Sequence, residues 1–404
     1  MAESPERTAP RRTRVRAVLA ALAAVLVVAA GCSGDDEKPS SQDGSSPKPK
    51  PRPAAARIVE PAADAKDVPT STAVAFETKN PGAASVQLKN AAGEIVKGSL
   101  QAGGKTWLPA GQLDYATRYT VSVTAPGEDG KPSTTTSSFT TMDEPANQVR
   151  VSSFLGDGQV VGVGMPLMVR FGREIPEDYR DDVERRMAVR AKPAQEGVWH
   201  WVSGTEVRYR PKTYWKANTA VSYKLQTGGL PMGKGWYGAA DITVDLKIGP
   251  SVVMTVDNRT KRMTVVLNGK VVRAIPVSLG KPRTPSSSGT MLVLEKLRKT
   301  VFDTRTDPNP ADRYRINIEY AQRLTWSGEF IHSAPWSVPV QGKTNVSHGC
   351  VNMSPANAAW LFGITRMGDP VTVKGTERRV AGGNGWTDWN MSWDEYVKGS
   401  AVSN

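Results

Sequence analysis

The chain has 404 residues, of which 39% are hydrophobic and 23% charged, and its 52 Lys and Arg outnumber 39 Asp and Glu to give a formal net charge of +13. That length is enough for two to four domains. The basic excess favours an anionic partner such as lipid or a cell-wall polymer, and the lack of a motif of interleaved basic and aromatic residues excludes nucleic acid.

The first 31 residues have the pattern of an export signal. A basic stretch ending at Arg16 precedes the apolar run AVLAALAAVLVVAAG, which is shorter than the roughly 20 residues that span a membrane. Ala29 to Cys32 resembles the lipobox of bacterial lipoproteins, with Ala29 where Leu is usual. We predict a signal peptide over 1–31 and a lipid anchor at Cys32, with ordinary secretion as the alternative. The protein would then lie on the outer face of the cytoplasmic membrane, facing the cell wall.

Residues 32–57 predict a solvated tether. They contain no large apolar residue, and Pro alternates with Lys or Arg, a composition typical of an extended polyproline chain. At about 3 Å per residue, such a segment would hold the folded part clear of the membrane.

The next part of the chain predicts β-sandwiches, because short alternating runs lie between turn signals. A weak internal repeat aligns 106–123 with 208–225 without gaps, at an offset of 102 residues. That offset is about the size of one immunoglobulin-like sandwich. We therefore predict two tandem immunoglobulin-like domains, over 58–143 and 144–249. Neither contains a cysteine, so neither holds the inter-sheet disulfide of antibody domains.

A third domain is predicted over 250–376. It opens with three alternating strands within 251–278, and the Asn-Gly pair at 268–269 is a strong signal for a two-residue hairpin turn. Further on, SPANAAWLF predicts a short helix with Ser354 as its N-cap and Pro355 at its first position.

The tail, 377–404, is rich in tryptophan. It places Trp389, Trp393 and Tyr396 at the i, i+4 and i+7 positions of one helix face. Such a stripe can bind sugar rings or dock on a neighbouring domain, and docking is the prediction that we favour.

The stretch TNVSHGCVN holds Cys350 and one of only three histidines in the chain. If Cys32 carries lipid, Cys350 has no partner within the chain and is either an intermolecular bridge or a reactive thiol. A cysteine nucleophile needs a base, commonly histidine, and a group that orients the base. His348 would share a strand face with Cys350, whereas His332 lies eighteen residues upstream. The residues alone leave both histidines open as the base.

Two other interpretations of this cysteine are weaker. A zinc site at Cys350 would lack the familiar ligand spacing, so we expect no metal and no other cofactor. An inert buried cysteine would not explain Gly349, since a glycine before a nucleophile lets backbone N–H groups approach a substrate oxygen. The third histidine, His200, is expected to fill a half-buried position in the second sandwich.

The chain has His332, then fourteen intervening residues, then SHGCVN. This pattern resembles the signature of the L,D-transpeptidases with a YkuD-type catalytic domain. The stretches 320–337, 341–360 and 368–373 extend the likeness to the actinobacterial members. Those members also carry a lipid or membrane anchor, two immunoglobulin-like modules and a Trp-rich tail. The resemblance implies a mainly β chain: two tandem immunoglobulin-like β-sandwiches, then a β-rich YkuD-type L,D-transpeptidase catalytic domain with a short helix after the nucleophile.

The resemblance also implies a role for each matched position. Cys350 would be the nucleophile, His332 the base that takes its proton, and Ser333 the residue that holds the imidazole. The oxyanion site would consist of the backbone N–H groups of Gly349 and Cys350 and the hydroxyl of Tyr314.

Other matched positions would support the site. The supporting residues of the motif are Ser347, His348 and Asn352. Trp336 would line the cleft, and 299–313 would form a mobile lid. This lid is short and Pro-rich, and Phe302 stands where close relatives have Met.

The implied partners are peptidoglycan stem peptides. The thiolate of Cys350 would attack the amide between a third-position diamino acid and D-Ala, leaving a thioester that the side-chain amine of a second stem resolves as a cross-link. Carbapenems would acylate the same thiol. Two alternatives stay open: an L,D-carboxypeptidase in which water resolves the thioester, and a non-catalytic wall-binding lipoprotein.

Overall fold

The computed structural model describes residues 55–306 and 308–402. The predicted signal peptide over 1–31, the lipidation site Cys32 and the tether up to residue 54 lie outside the described residues. Within the described part of the chain, no helix is long and apolar enough to cross a membrane.

The first sandwich packs two antiparallel-rich sheets face to face, with strand orders β1-β3-β7-β6 and β2-β9-β8-β4-β5. Its strands are β1 (Ala56–Glu60), β2 (Ala65–Val68), β3 (Val74–Thr78), β4 (Ser85–Asn90), β5 (Ile95–Val96), β6 (Gly98–Leu100), β7 (Thr106–Pro109), β8 (Arg118–Pro126) and β9 (Pro132–Thr141). Alternate residues of β8 are buried, starting at Tyr119, because the side chains of a strand point to opposite faces. Other buried side chains of this core include Phe76, Leu88 and Phe139.

The second sandwich has the strand orders β11-β13-β16-β15 and β12-β19-β17-β14, with a separate pair β10-β18. Its elements are β10 (Gln148–Val149), β11 (Val151–Ser153), β12 (Val160–Val161), β13 (Leu167–Phe171), α1 (Glu177–Arg185), β14 (Met187–Lys192), β15 (Gly197–Ser203), β16 (Glu206–Pro211), β17 (Ala220–Leu225), β18 (Tyr237–Gly238) and β19 (Ile242–Ile248). Each large apolar side chain fully buried here contributes about 1.5–3 kcal/mol to stability.

The internal repeat corresponds to equivalent strands of the two sandwiches. Its first copy spans β7 and the start of β8, and its second copy spans β16 and β17. Between the strands, Leu113 and Trp215 occupy matching positions and are both buried. The repeat therefore marks the same structural unit twice.

The third domain combines a six-stranded sheet, ordered β22-β21-β20-β28-β23-β29, with a four-stranded sheet, ordered β24-β25-β26-β27. Its elements are β20 (Val252–Asp257), β21 (Arg262–Leu267), β22 (Lys270–Pro276), β23 (Ser287–Leu292), β24 (Glu295–Asp303), β25 (Arg315–Arg323), β26 (Phe330–Ser333), β27 (Val351–Met353), α2 (Pro355–Ile364), β28 (Pro370–Lys374), β29 (Arg378–Arg379) and α3 (Trp393–Val397).

Local sequence signals account for two features of this domain. Asn268 and Gly269 have positive φ values of 50° and 81°, as a two-residue hairpin turn between β21 and β22 requires. The Ser354 side chain accepts a hydrogen bond from the backbone N–H of Asn357, and α2 begins at Pro355. Both predictions from the sequence are confirmed.

The tail docks on the second sandwich, as predicted, although it does not form the single helix that the i, i+4, i+7 spacing suggests. Trp389 lies in a short 3₁₀ helix, Asp388–Asn390, and only Trp393–Val397 is α-helical. The Trp389 indole donates to the carbonyl of Gly164 at 2.7 Å, and the guanidinium of Arg210 lies 4.5 Å from the Trp389 ring.

Tyr396 contributes a further part of this contact. Its ring is fully buried, and it stacks on His200 with a centroid separation of 4.5 Å. His200 is half-buried and its Nδ1 lies 2.8 Å from the Tyr396 carbonyl, which confirms the position expected for it.

Main-chain hydrogen bonds fasten the third domain to the second sandwich. The amides of Gly162 and Gly164 donate to the carbonyls of Met367 and Gly368 at 2.7 and 2.9 Å. A Cβ atom at Gly162 would collide with Asp369, so the close approach of these two segments requires glycine.

Candidate active site

The four-stranded sheet brings the predicted nucleophile and base together. Strands β26 and β27 pair in parallel, with His332 opposite Asn352. Cys350 lies two residues before Asn352, just outside β27, and lines the same cavity as the imidazole of His332. Both residues are buried, at 9% exposure for Cys350 and 3% for His332. The fold thus brings a histidine that is distant in sequence to the cavity that holds the thiol.

The cavity that Cys350 and His332 line has a volume of about 450 Å³. Eight of the predicted site residues line it: Phe302, Tyr314, His332, Trp336, Ser347, His348, Cys350 and Asn352. A second cavity of about 400 Å³ also reaches the cysteine and shares Phe302, Tyr314 and His348 with the first. The thiol is therefore accessible from two concave surfaces of the lid region.

The environment of His332 suits a general base. Its Nδ1 lies 2.8 Å from the carbonyl oxygen of Ser333, and since a carbonyl only accepts, Nδ1 carries the hydrogen. Nε2 is then left as the proton acceptor. Burial lowers the pKa of His332 to about 4, although the Ser333 carbonyl and the Asn352 side chain favour the protonated form. The imidazole is consequently neutral at neutral pH. Ser333 orients the base through its main chain.

The thiol of Cys350 is also neutral. Burial raises its pKa to about 12, the backbone N–H of Phe330 lowers it, and the charge of Glu329 raises it. The Sγ atom lies 3.9 Å from the carbonyl of Gly328, to which the thiol donates. A neutral thiol beside a neutral imidazole means that proton transfer has to accompany attack on a substrate.

The loop before the nucleophile is held by serine hydroxyls. Ser347 Oγ donates to the carbonyl of Cys350 at 2.7 Å, and Ser286 Oγ donates to that of Gly349 at 2.6 Å. Gly349 has a φ of +125°, a conformation that favours glycine. Its N–H donates to Ser347 Oγ at 3.1 Å, so this expected oxyanion donor is already engaged in the structure. Substrate would have to displace that hydrogen bond before the amide stabilised an oxyanion.

His348 has a different neighbourhood from His332. Its Nε2 lies 2.9 Å from the carboxylate of Asp312 and 2.8 Å from the Lys281 ammonium, and its ring centroid is 5.4 Å from that of Tyr314. The structure therefore ties this motif histidine to the lid.

The lid is anchored by a buried carboxylate that sequence reasoning missed. Asp312 is 8% exposed and ends the 3₁₀ helix Pro310–Asp312. Lys281 donates to it at 2.9 Å, and Arg283 donates to both of its oxygens at 3.0 and 2.9 Å. The hydrogen bond from Lys281 and the charge of Arg283 hold the pKa of Asp312 at about 2. No short motif links these residues, because they meet only in the tertiary structure.

Aromatic side chains shape the first cavity. The ring of Phe302 lies 5.2 Å from that of His332 and 4.7 Å from that of Phe330. Trp336 is 52% exposed and its ring centroid lies 6.0 Å from that of His332, which agrees with a place at the cleft wall. Asn352 lies beneath them and donates to Ser337 Oγ at 3.4 Å.

The residues around the thiol include a candidate base. Across 55–306 and 308–402, no three His, Cys, Asp or Glu side chains are grouped so that they could hold an ion. One thiol and one imidazole, those of Cys350 and His332, line the same cavity, and nucleophilic catalysis by cysteine uses these two groups.

Comparison with known families defines the class of protein. A bacterial Ig domain matches residues 65–231, and an L,D-transpeptidase catalytic domain matches residues 251–373. The chain is thus an acyltransferase with immunoglobulin-like modules before its catalytic domain.

Similar curated proteins extend along most of the chain. L,D-transpeptidase 2 of Mycobacterium tuberculosis is 38% identical over 322 residues, covering 79% of this chain and 78% of that protein. L,D-transpeptidase 5 of the same species is 33% identical over 363 residues, covering 87% of this chain and 78% of that protein. A solved structure, that of an LD transpeptidase in complex with imipenem, is 36% identical with a TM-score of 0.48, and covers 57% of this chain and 100% of that chain. The protein belongs to the L,D-transpeptidase family.

Proposed function

We propose that the protein cross-links peptidoglycan stem peptides through a thioester on Cys350. The observation that carries this proposal is that Cys350 lines the same cavity as His332, which the pairing of β26 with β27 holds in place. The donor would be a stem tetrapeptide, with D-Ala as the leaving group. The acceptor would be the side-chain amine of a third-position diamino acid on a second stem.

In the first half-reaction, Cys350 Sγ attacks the carbonyl carbon of the third residue. The thiol proton passes to Nε2 of His332, and the imidazolium then protonates the departing nitrogen of D-Ala. The C–N bond breaks, a C–S bond remains, and the base returns to its neutral form. Tyr314 supports the oxyanion of the tetrahedral intermediate, because it lines both cavities beside the thiol.

In the second half-reaction, the amine of the acceptor attacks the thioester carbonyl. Neutral His332 takes a proton from the amine, and the thiolate leaves and is protonated again. An amide forms and the C–S bond breaks, which restores the enzyme. The second cavity of about 400 Å³ supports this step, because it reaches Cys350 and has room for the acceptor stem peptide beside the donor stem peptide.

Mass spectrometry of the folded protein tests this proposal. With a tetrapeptide donor, we expect a thioester adduct and free D-Ala, and with an added amine acceptor a dimer linked between third residues. Cys350→Ala should abolish all three products while circular dichroism stays unchanged. Turnover in that variant would overturn the role of Cys350. Tripeptide in place of dimer would identify an L,D-carboxypeptidase.

A wall-binding lipoprotein without catalysis is the remaining alternative. An intact thiol, a neutral base and a glycine with positive φ argue against it, since a decayed site would have lost one of these features. The absence of any adduct with the tetrapeptide donor would favour it.

We further propose that carbapenems acylate Cys350. A strained β-lactam amide is an acyl donor for the same thiol, and the first cavity has the volume of a small-molecule site. The expected result is a stable adduct of one drug molecule per chain, absent from Cys350→Ala.

The proposed location is the outer face of the cytoplasmic membrane. Its support is the export signal and the Ala-Ala-Gly-Cys sequence that ends at Cys32. Cys32→Ser should release the protein from the membrane fraction of the producing cell, whereas retention of the variant in that fraction would contradict a lipid anchor.

A further inference from the structure

Glu329 is a buried carboxylate that the proposed reaction does not use. It lies directly before β26 and is 6% exposed. Ser287 donates to it twice, from its backbone N–H at 3.0 Å and from its hydroxyl at 2.7 Å. The guanidinium of Arg378 completes the set of partners. These three donors satisfy the buried carboxylate oxygens, which would be costly to bury without hydrogen bonds.

This ion pair lies against the loop that carries the nucleophile. A Cβ atom at Gly349 would be 3.6 Å from Glu329 Cγ and 4.0 Å from a guanidinium nitrogen of Arg378. Gly349 immediately precedes Cys350. Both charges are thus within a few ångströms of the backbone next to the thiol.

The two charges are not equally screened. The side chain of Glu329 is 8% exposed, whereas that of Arg378 is 50% exposed. Water weakens the field of the cation more than that of the buried anion, so within this pair the anion acts more strongly on the thiol. This agrees with the pKa of Cys350, which burial raises most and the charge of Glu329 raises further.

Arg378 reaches this position from the C-terminal segment. It lies in β29, which pairs in parallel with β23 so that Arg378 is opposite Ser287. The same segment continues into the tail that docks on the second sandwich. One partner of the pair therefore belongs to the catalytic core and the other to the tail.

Other ionisable groups also face the thiol. The ionisable side chains that line its cavities are His332, Tyr314, His348, Asp303, Asp312, Arg315 and Arg323. Asp303 is paired with Arg305 and Arg315. His332 is neutral, and Asp312 is matched by two cations of its own. Arg323 stacks on the ring of Phe330 at 4.7 Å, and its charge adds to that of Arg378.

We propose that the Glu329–Arg378 pair controls the protonation of the nucleophile. Glu329 adds to the effect of burial in keeping Cys350 as the thiol, and Arg378 limits the strength of that addition. The proposal rests on the proposed function only in naming Cys350 as the nucleophile. Its use would be protection, because the thiolate is the form that oxidants attack and the described residues hold no second cysteine for a disulfide.

The rate of alkylation by iodoacetamide between pH 6 and 10 tests the proposal on the folded chain. Glu329→Gln should lower the pKa of the thiol by about one unit, which the assay reports as an alkylation rate at pH 8 raised about tenfold. Arg378→Gln should shift both quantities in the opposite direction, and Arg378→Lys should restore them. Arg379→Gln removes the same charge from the exposed neighbour in β29 and should change the rate less than twofold.

The signs of the two shifts separate the proposal from a purely structural ion pair. Loss of a structural bond would loosen the loop in both variants and change the alkylation rate in the same direction. Equal signs, or no shift in either variant, would overturn the proposal. If Glu329→Gln does not fold, Arg378→Gln and Arg378→Lys still decide the matter. Alkylation needs no stem peptide, so its outcome is independent of the test of cross-linking.

Discussion

Asp369 gives a prediction about stability that follows from its place at the domain junction. It is fully buried beside Gly162, and its carboxylate accepts the backbone N–H of Arg366 at 2.7 Å. Burial raises the pKa of Asp369 from 3.8 to about 7, against the opposing effects of Arg366 and Lys296. The folded chain therefore binds this proton more tightly than the unfolded chain.

The sign of the pH dependence follows from that difference. The stabilisation is complete below about pH 4, where Asp369 is protonated in both states, and it is lost as the pH rises towards 7. A shift of about three units corresponds to about 4 kcal/mol. Relaxation of the junction in the folded chain reduces this figure, so we expect a loss of about 2–4 kcal/mol between pH 4 and pH 8.

Asp369→Asn should remove this dependence, because the amide resembles the protonated acid. We expect the variant to be more stable than the wild type by about 2–4 kcal/mol at pH 8.5 and equal to it within about 1 kcal/mol at pH 4. Urea unfolding followed by tryptophan fluorescence measures the difference. Hydrogen exchange at Gly162 and Gly164, whose amides bridge the junction, reports the same change locally.

A matched control is Asp143→Asn, which removes the same charge from an exposed position. Its stability should follow the wild-type pH profile. A variant at Asp369 that is less stable than the wild type at pH 8.5, or a pH profile that the substitution leaves unchanged, would refute the assignment of a raised pKa to this carboxyl group.

Three further predictions concern the site and the tail. His332→Gln should lower the rate of thioester formation about 10²- to 10⁴-fold. In the wild type, this rate should stay constant from pH 5 to 7 and fall below about pH 4, where His332 becomes protonated. A fall in the rate near pH 6.5 would contradict the burial of His332. Asp312→Asn should weaken the lid anchor and raise KM for the tetrapeptide more than it lowers kcat, whereas equal loss in both would argue that the lid only stabilises the fold. Trp389→Ala should cost about 1.5–3 kcal/mol in urea unfolding, because its indole is only partly buried. Met391→Ala, at an exposed neighbour, is the control and should cost less than about 1 kcal/mol.

The arrangement of the strands was largely predictable because local rules specify them. Alternation along β8 buries every second residue from Tyr119 onwards, and the Asn-Gly pair at 268–269 has the backbone conformation of its hairpin turn. The gapless repeat identified equivalent strands of the two sandwiches because both copies bury the same positions. The tail was predicted less well: the spacing of Trp389, Trp393 and Tyr396 suggested one helix, but the contacts with Arg210 override helical periodicity.

The candidate site was also predictable only in part from the sequence. The motif named Cys350 and His332 as candidates, and both line one cavity in the structure. The motif did not reveal that the amide of Gly349 is engaged by Ser347, or that His348 lies against the carboxylate of Asp312. These contacts join segments that are far apart in the chain, and no local pattern encodes them.

The sequence by itself determined the strand and turn pattern and the helix cap at Ser354, and it named the candidate thiol and base. Each of these depends on neighbouring residues or on a fixed motif spacing. Only the tertiary structure decided that Asp312 anchors the lid, that Glu329 meets Arg378 beside the nucleophile, and that Asp369 is buried at a junction. The physical reason is that charge pairing and burial depend on which distant segments pack together.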